Sequence, residues 1–492
     1  MRWTMLCQQH ADAAGLSAES CAPLSAFRGA AEREAATFAA LRADVEVTAQ
    51  RLPGQIVSVL SGEVDAGQAA LFARRFTSVW TLLSGMSQPE AVLLAVGLVM
   101  RASEVLSAAP PRALRIRAVV DFFYSQAALL HHRAPGAEPL DALVARSRRR
   151  AVADGIWHMR IVGRTDRGPV HANVLRVEGG RLETIDCRGQ GSLAEVVSQR
   201  GAAAGVSGGF FLYSEPDIIL PSRRTDPVGL LVHRGAVQSP PIWRRSALIE
   251  RPSGGQDIVQ VGLVGCVLGW PGGEQVRIEA VDALDATGVV AFTRAHTERS
   301  PPRTGESVAI VGDHVVARGR GGLAVPLAGT VVSFPGDAPR GERVRWMLPE
   351  PITEGIAGGP RLLRAGAVAI GLVEEDFAGS APPITFSQDE TFDQNLLPRM
   401  AAGRTAAGAL IFIAIDGRNF ERAPGMTLRQ TAGLCATLGC VEAMNLDGGS
   451  SKRMVVGGEL VDLPSTEVVS AAGGVARVRP VNTAVLLYPS GV

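Results

Sequence analysis

The texture of this chain changes between Arg133 and Arg150, and the change separates two stretches that cannot fold in the same way. Before it, Ala is abundant and Gly and Pro fall at segment ends. Phe72, Phe76, Val79 and Leu83 recur at spacings of three and four, as do Phe38, Leu41 and Val45, and such spacing lines one face of a helix. Ser87-Gln88-Pro89-Glu90 reads as a capping box opening a helix through 91–106. Pro110-Pro111 then breaks the chain before a helix carrying Leu114, Val119, Phe122 and Phe123. A bundle of four or five helices is expected over residues 1–132, without a polar cluster that suggests chemistry. Docking, self-association (a homo-oligomer) or cover for a site elsewhere are its expected roles.

Residues 133–150 are rich in Pro, Gly and Arg and read as a linker, with Arg146, Arg148, Arg149 and Arg150 as a solvated basic run. Beyond it, short Val, Ile and Leu runs alternate with Gly and Pro, as in 308–311, 331–334 and 409–415. Segments 174–177 and 182–185, joined through Gly179-Gly180, read as a hairpin. Two helical segments, 193–204 and 427–438, interrupt the strands. The fold class expected is therefore α+β, a mixed-sheet domain over 151–492 preceded by an all-α region.

Lys plus Arg number 49 and Asp plus Glu 48, so the net charge is +1 and no basic field exists to hold nucleic acid. The six cysteines are scattered without a CxxC pair, and no histidine spacing suits a metal, so no metal or cofactor is expected. The most apolar stretch, 91–100, is shorter than the ~20 residues a membrane helix needs. The first residues lack the apolar run of a secretory signal, and the expected location is the cytoplasm.

Four clusters in the second stretch could bear chemistry. Ser207-Gly208-Gly209-Phe210-Phe211 offers close backbone approach and an aromatic wall. Ala357-Gly358-Gly359-Pro360 could turn backbone amides towards an anion. Gly403-Arg404-Thr405 precedes an apolar strand that ends in Asp416-Gly417-Arg418, and a planar guanidinium suits two-point phosphate binding. Asn445-Leu446-Asp447-Gly448-Gly449-Ser450-Ser451 combines an acid, an amide and a loop rich in donors.

In this order the clusters resemble the phosphodiester glycosidase family over roughly 171–489. The family's Asn-Gly-Gly-Phe-Phe aligns with Ser207–Phe211, its Gly-Gly-Pro with Gly358–Pro360 and its Arg-Thr with Arg404-Thr405. Its Asp-Gly-Arg and Gly-Met-Thr-Leu align with Asp416–Arg418 and Gly425–Leu428, its Asn-Leu-Asp-Gly-Gly-Gly-Ser with Asn445–Ser451, and its Asn-x-Ala with Asn482-Thr483-Ala484. Ser207 stands where the family usually has Asn, Ser450 replaces a third Gly, and Gln430 stands where Glu is common. Lys452-Arg453 replaces small hydroxyl residues.

The resemblance implies a hydrolase that cuts the anomeric bond of a sugar-1-phosphodiester, with a small sugar-phosphate as its partner. Asp447 or Asp416 would activate water or stabilise the positive sugar, and Arg404 would hold the phosphate. Ser207, Gly208, Gly209, Phe210, Gly358, Gly359, Thr405, Asn445, Gly448, Gly449, Ser450 and Ser451 would line the pocket. Two other readings keep the fold: a cytoplasmic biosynthetic enzyme of specialised metabolism acting on a sugar- or nucleotide-linked intermediate, and a non-catalytic phosphosugar-binding module.

Overall fold

The computed structural model describes residues 35–110, 112–132, 137–212, 218–223, 225–377, 395–465 and 480–490. Cys7, Cys21 and the N-terminal segment read above lie outside them, as do the side chains of Phe38, Leu41 and Leu114. The architecture is mixed α+β. Helices Ala35–Leu60, Ala66–Ser84, Pro89–Ser107 and Arg112–His131 come first, and the strands follow. None of the described helices is long and apolar enough to cross a membrane.

The expected stripe is realised: Phe72, Phe76, Val79 and Leu83 face one core with Leu98, Val119 and Phe122. Asp65 caps the second helix through the Gln68 amide. The capping box expected at Ser87 does not form: the N-cap is Gln88, one residue later, it makes no side-chain cap bond, and Pro89 opens the helix at a position where a missing N–H costs nothing. The stretch read as a linker is also ordered locally: Leu140–Arg146 is a helix, and Arg149–Ala153 is the first strand.

Eight antiparallel strands form the principal sheet. Its spatial order is Arg149–Ala153, Ile156–Thr165, Gly168–Val177, Leu410–Ile415, Arg399–Thr405, Cys440–Leu446, Arg361–Arg364 and Ala367–Val368. The unbroken apolar run at 410–415 follows from its place inside this sheet. Leu410, Phe412 and Ala414 face one core, whereas Ile411, Ile413 and Ile415 face another. A strand covered on both faces has no reason to alternate with polar residues. Burying each such large side chain contributes roughly 1.5–3 kcal/mol.

On one face of this sheet lies the helix Leu428–Thr437. On the other lies a five-stranded sheet ordered Glu459–Leu460, Met454–Val456, Ala204–Ser207, Thr483–Tyr488 and Arg181–Asp186. The hairpin expected at 174–185 is therefore absent. Gly168–Val177 pairs in the principal sheet, and Arg181–Asp186 pairs with Thr483–Tyr488 in the second. The Gly179-Gly180 link carries the chain between layers, where the hydrophobic pattern alone cannot choose a partner. Residues 263–348 form an excursion with its own sheets and a core shared with Phe210, Leu212, Trp243 and Phe377, entered from Gln256–Val261 and left towards Glu354–Ala357.

Among the described residues, the helices Leu193–Arg200 and Leu428–Thr437 carry complete capping boxes: Ser192 with Glu195, and Thr427 with Gln430. Gln430 thus serves where the family more often has Glu, since a side-chain amide oxygen also accepts the Thr427 N–H, here at 2.9 Å.

Candidate functional site

Strand register decides which of the expected residues can meet. Arg399 lies opposite Ile415, and Met400 opposite Leu446. Asp416 and Asp447, each following its strand, therefore emerge at the same edge of the principal sheet. Arg404 lies opposite Leu410 and Glu442, towards the far end of the same strand. At ~3.3 Å per residue it is about 17 Å along the strand from Arg399. Its guanidinium faces Asp257 at 3.4 Å. Thr405 closes the turn beside it, its hydroxyl accepting the Ala409 N–H at 3.1 Å. The structure thus separates the expected Arg404-Thr405 phosphate site from the two acids.

At the edge holding the acids, Ser207, Gly208, Gly209, Phe211, Asp447, Ser451, Pro480, Val481, Asn482 and Thr483 line one cleft. The Asp447 amide donates to the Gly208 carbonyl at 3.1 Å, and the Gly208 amide donates to the Thr483 carbonyl at 2.9 Å, so three remote segments close on one point. The glycines are required by contact. A Cβ on Gly208 would stand 2.4 Å from Ile356 Cδ1, and one on Gly209 only 2.1 Å from the Ala357 carbonyl oxygen. Gly449 adopts φ +53° and opens a single 3₁₀ turn, Gly449–Ser451, between Asp447 and the next strand. Ser207 belongs to the strand wall: its hydroxyl accepts the Arg453 N–H at 3.0 Å. Gly448, Gly449 and Ser450 shape the turn, and Ser451 faces the cleft.

Phe210 is not part of this wall. It is buried in the excursion's core, 5.6 Å from the Phe377 ring, and alternation along the chain gives the cleft to Phe211 instead. Gly358 and Gly359 are also elsewhere in role. Their amides donate to the carbonyls of Ser246, at 2.8 Å, and Asn445, at 2.7 Å, so neither is directed at an anion. Asn445 serves this loop: its side-chain amide donates to the Gly359 carbonyl at 3.0 Å, and its backbone amide to the Pro360 carbonyl at 3.0 Å.

Asp416 is sealed from solvent and does not line the cleft. One oxygen accepts from Lys452 Nζ at 2.7 Å and from the Leu463 amide at 3.0 Å, while the other meets His171 Nδ1. Burial acts to raise its carboxyl, but the Lys452 ammonium and the His171 contact outweigh burial and hold it below the usual carboxylate range. Lys452 is shifted the other way. Burial favours its neutral form, and Asp416 and Asp462 overcome that and raise its ammonium above the ordinary value. Asp447 thus meets the cleft, whereas Asp416 anchors what lies behind it. His171, Lys452, Asp462, Asn482 and Thr483 were not among the expected site residues. Of these, Lys452 and the Asn482-Thr483-Ala484 block had already appeared as motif positions.

Residues 281–488 match the phosphodiester glycosidase family. The second part of this chain is phosphodiester glycosidase-like. The matched span contains the Gly358–Pro360, Asp416–Arg418, Asn445–Ser451 and Asn482–Ala484 blocks, and Ser207–Phe211 precedes it. An uncharacterised SPβ prophage-derived protein of Bacillus subtilis is 33% identical over 92 residues, which is 19% of this chain and 13% of that protein's length. Among solved structures, a hypothetical protein from Synechocystis is 20% identical with a TM-score of 0.45, over 72% of this chain and 64% of that one. The catalytic domain of zebrafish N-acetylglucosamine-1-phosphodiester alpha-N-acetylglucosaminidase, auto-inhibited by its pro-peptide, is 15% identical with a TM-score of 0.39, over 70% of this chain and 88% of that one.

Proposed function

We propose that this phosphodiester glycosidase-like chain is a hydrolase that cleaves the anomeric bond of a sugar-1-phosphodiester, and that Asp447 is its principal acid. The observation carrying the proposal is the cleft itself, where Asp447 meets the Ser207–Gly209 wall and the Ser451, Asn482 and Thr483 side chains. Water adds to the anomeric carbon as the carbon–oxygen bond to phosphate breaks, giving a free sugar and a phosphomonoester. The transition state resembles an oxocarbenium ion, and a carboxylate beside it stabilises the charge or takes the proton from water. The departing phosphate is a stable anion that needs little protonation, so hydroxyl and amide donors replace much of a general acid's work. Asp416, with both oxygens engaged by His171, Lys452 and Leu463, supports this chemistry from behind.

The test is turnover of a chromogenic sugar-1-phosphodiester by the purified protein. Release of the phosphomonoester by wild type, and its loss in Asp447→Asn, is the expected result. An Asp447→Asn protein that turns over like wild type overturns the assignment.

A further inference from the structure

Lys452 is the only lysine in the 492-residue sequence, against which Lys plus Arg total 49. Every other fixed cationic side chain is an arginine, yet a lysine follows Ser451, a residue that lines the cleft. An ammonium is compact and carries three donors, whereas a guanidinium is a wide planar fork with five. Three oxygens face Lys452 Nζ: Asp416 Oδ1 at 2.7 Å, Asp462 Oδ2 at 2.5 Å and the Leu463 carbonyl at 3.1 Å. Its side chain and both carboxylate side chains are sealed from solvent.

The remaining oxygen of Asp462 accepts the Met454 amide at 2.6 Å. That of Asp416 meets His171 Nδ1, and His171 Nε2 lies 2.9 Å from Arg160 Nη2. Arginine has no acceptor, so His171 Nε2 accepts and Nδ1 donates to Asp416. With His171 neutral and Arg160 exposed at the outer end, the row Arg160, His171, Asp416, Lys452, Asp462 sums to zero, and within its sealed part the Lys452 ammonium is flanked by the Asp416 and Asp462 carboxylates.

Lys452 also stands between the two walls of the cleft. Its backbone amide donates to the Gly448 carbonyl at 3.2 Å, closing the turn that begins after Asp447 and contains Ser451. The next residue, Arg453, donates its amide to Ser207 Oγ at 3.0 Å and accepts the Ser207 amide at 2.9 Å, which fixes the opposite wall. We propose that Lys452 is the positioning residue of the cleft: its ammonium, held in an oxygen cage, sets the Asp447–Ser451 turn against the Ser207–Gly209 wall. Only the kinetic arm of the test rests on the hydrolase reading.

The experiment compares wild type with Lys452→Met, which keeps length and removes charge. Hydrogen–deuterium exchange read by mass spectrometry should rise at least about tenfold in segments 207–211 and 447–453, while the helices and the 410–415 strand keep wild-type protection. Unchanged exchange in both segments overturns the proposal, and so does a rise spread evenly over the whole chain, which marks a merely structural role. With the chromogenic phosphodiester, kcat should fall at least about tenfold with KM within about threefold, since a displaced wall misplaces the reacting groups more than it weakens binding. Wild-type kcat in a folded Lys452→Met protein also overturns the proposal. If wild type itself is inert to the probe, the hydrolase reading fails and the exchange arm decides alone. Should Lys452→Met not fold, Lys452→Arg is read in the same two ways.

Discussion

Asp121 Oδ2 and Arg418 Nη2 lie 3.0 Å apart, with both side chains sealed from solvent, and they join a helix of the bundle to the turn that begins at Asp416. Burial works to raise the Asp121 carboxyl, but Arg418, Arg75 and Arg117 outweigh it and hold the group below the usual carboxylate range. Arg418 has φ +56°, a left-handed conformation that an ordinary residue keeps only when its surroundings insist. Breaking the pair with Asp121→Asn should cost about 3–5 kcal/mol, because an uncompensated guanidinium stays buried. Denaturant unfolding of Asp121→Asn, of the single variants Asp121→Leu and Arg418→Met, and of the double variant Asp121→Leu/Arg418→Met checks this. The double variant should lose less than the sum of its single changes.

Asp447→Asn should leave the unfolding midpoint near wild type and lower kcat by about 10²-fold or more, the scale of a lost acid–base or charge-stabilising group. Circular dichroism alongside kinetics separates that outcome from misfolding.

Arg404→Ala gives the opposite expectation. The side chain is partly exposed and its ion pair with Asp257 is 3.4 Å long. Its removal should change stability by about 1 kcal/mol or less and leave turnover intact. A large kinetic defect would return Arg404 to the chemistry.

Much of this outcome was legible in the residues themselves. The apolar run at 410–415, the stripe through Phe72 and Phe76, and the helical segments that begin near 193 and 427 declare themselves by local spacing. The cleft was legible only in part. Gly208, Gly209, Asp447 and Ser451 announce themselves as motifs, but which end of a strand faces them depends on register, and register is set by partners far away in sequence. Arg404 has the right chemistry at the wrong end. His171 and Asp416 are 245 positions apart, and nothing in the local pattern around His171 points to a carboxylate.

The stability of the buried row should depend on pH in a defined way. Asp416 has a depressed carboxyl, so its contribution is present above the unfolded value, about 3.9, and is lost as pH falls through the lower folded value. Lys452 has a raised ammonium, so its contribution is present below about 10.4 and is lost as pH rises through the higher folded value. The gap in unfolding free energy between wild type and Lys452→Met should therefore be widest near neutral pH and shrink as pH falls, because the sealed carboxylates of the variant, without their cation, take up protons more readily than those of wild type. A pH series of guanidinium midpoints measures it.

Gly209→Ala should be costly because the new methyl would stand 2.1 Å from the Ala357 carbonyl oxygen, which is backbone and cannot swing aside. A loss of about 1–3 kcal/mol is expected, with lower turnover as the wall moves. Thermal unfolding and the phosphodiester assay read the two effects.

Leu396 and Phe420 belong to the hydrophobic cluster of the helical bundle although they lie far along the chain. Ser125 Oγ accepts the Leu396 amide at 2.8 Å, and the Phe420 carbonyl meets His132 Nε2 at 2.6 Å. A core shared in this way has no seam along which one half could be exchanged for a foreign domain. Across relatives, substitutions at Asp121, Ser125 and His132 should track those at Arg418, Leu396 and Phe420, so that the two regions drift together as one inherited unit.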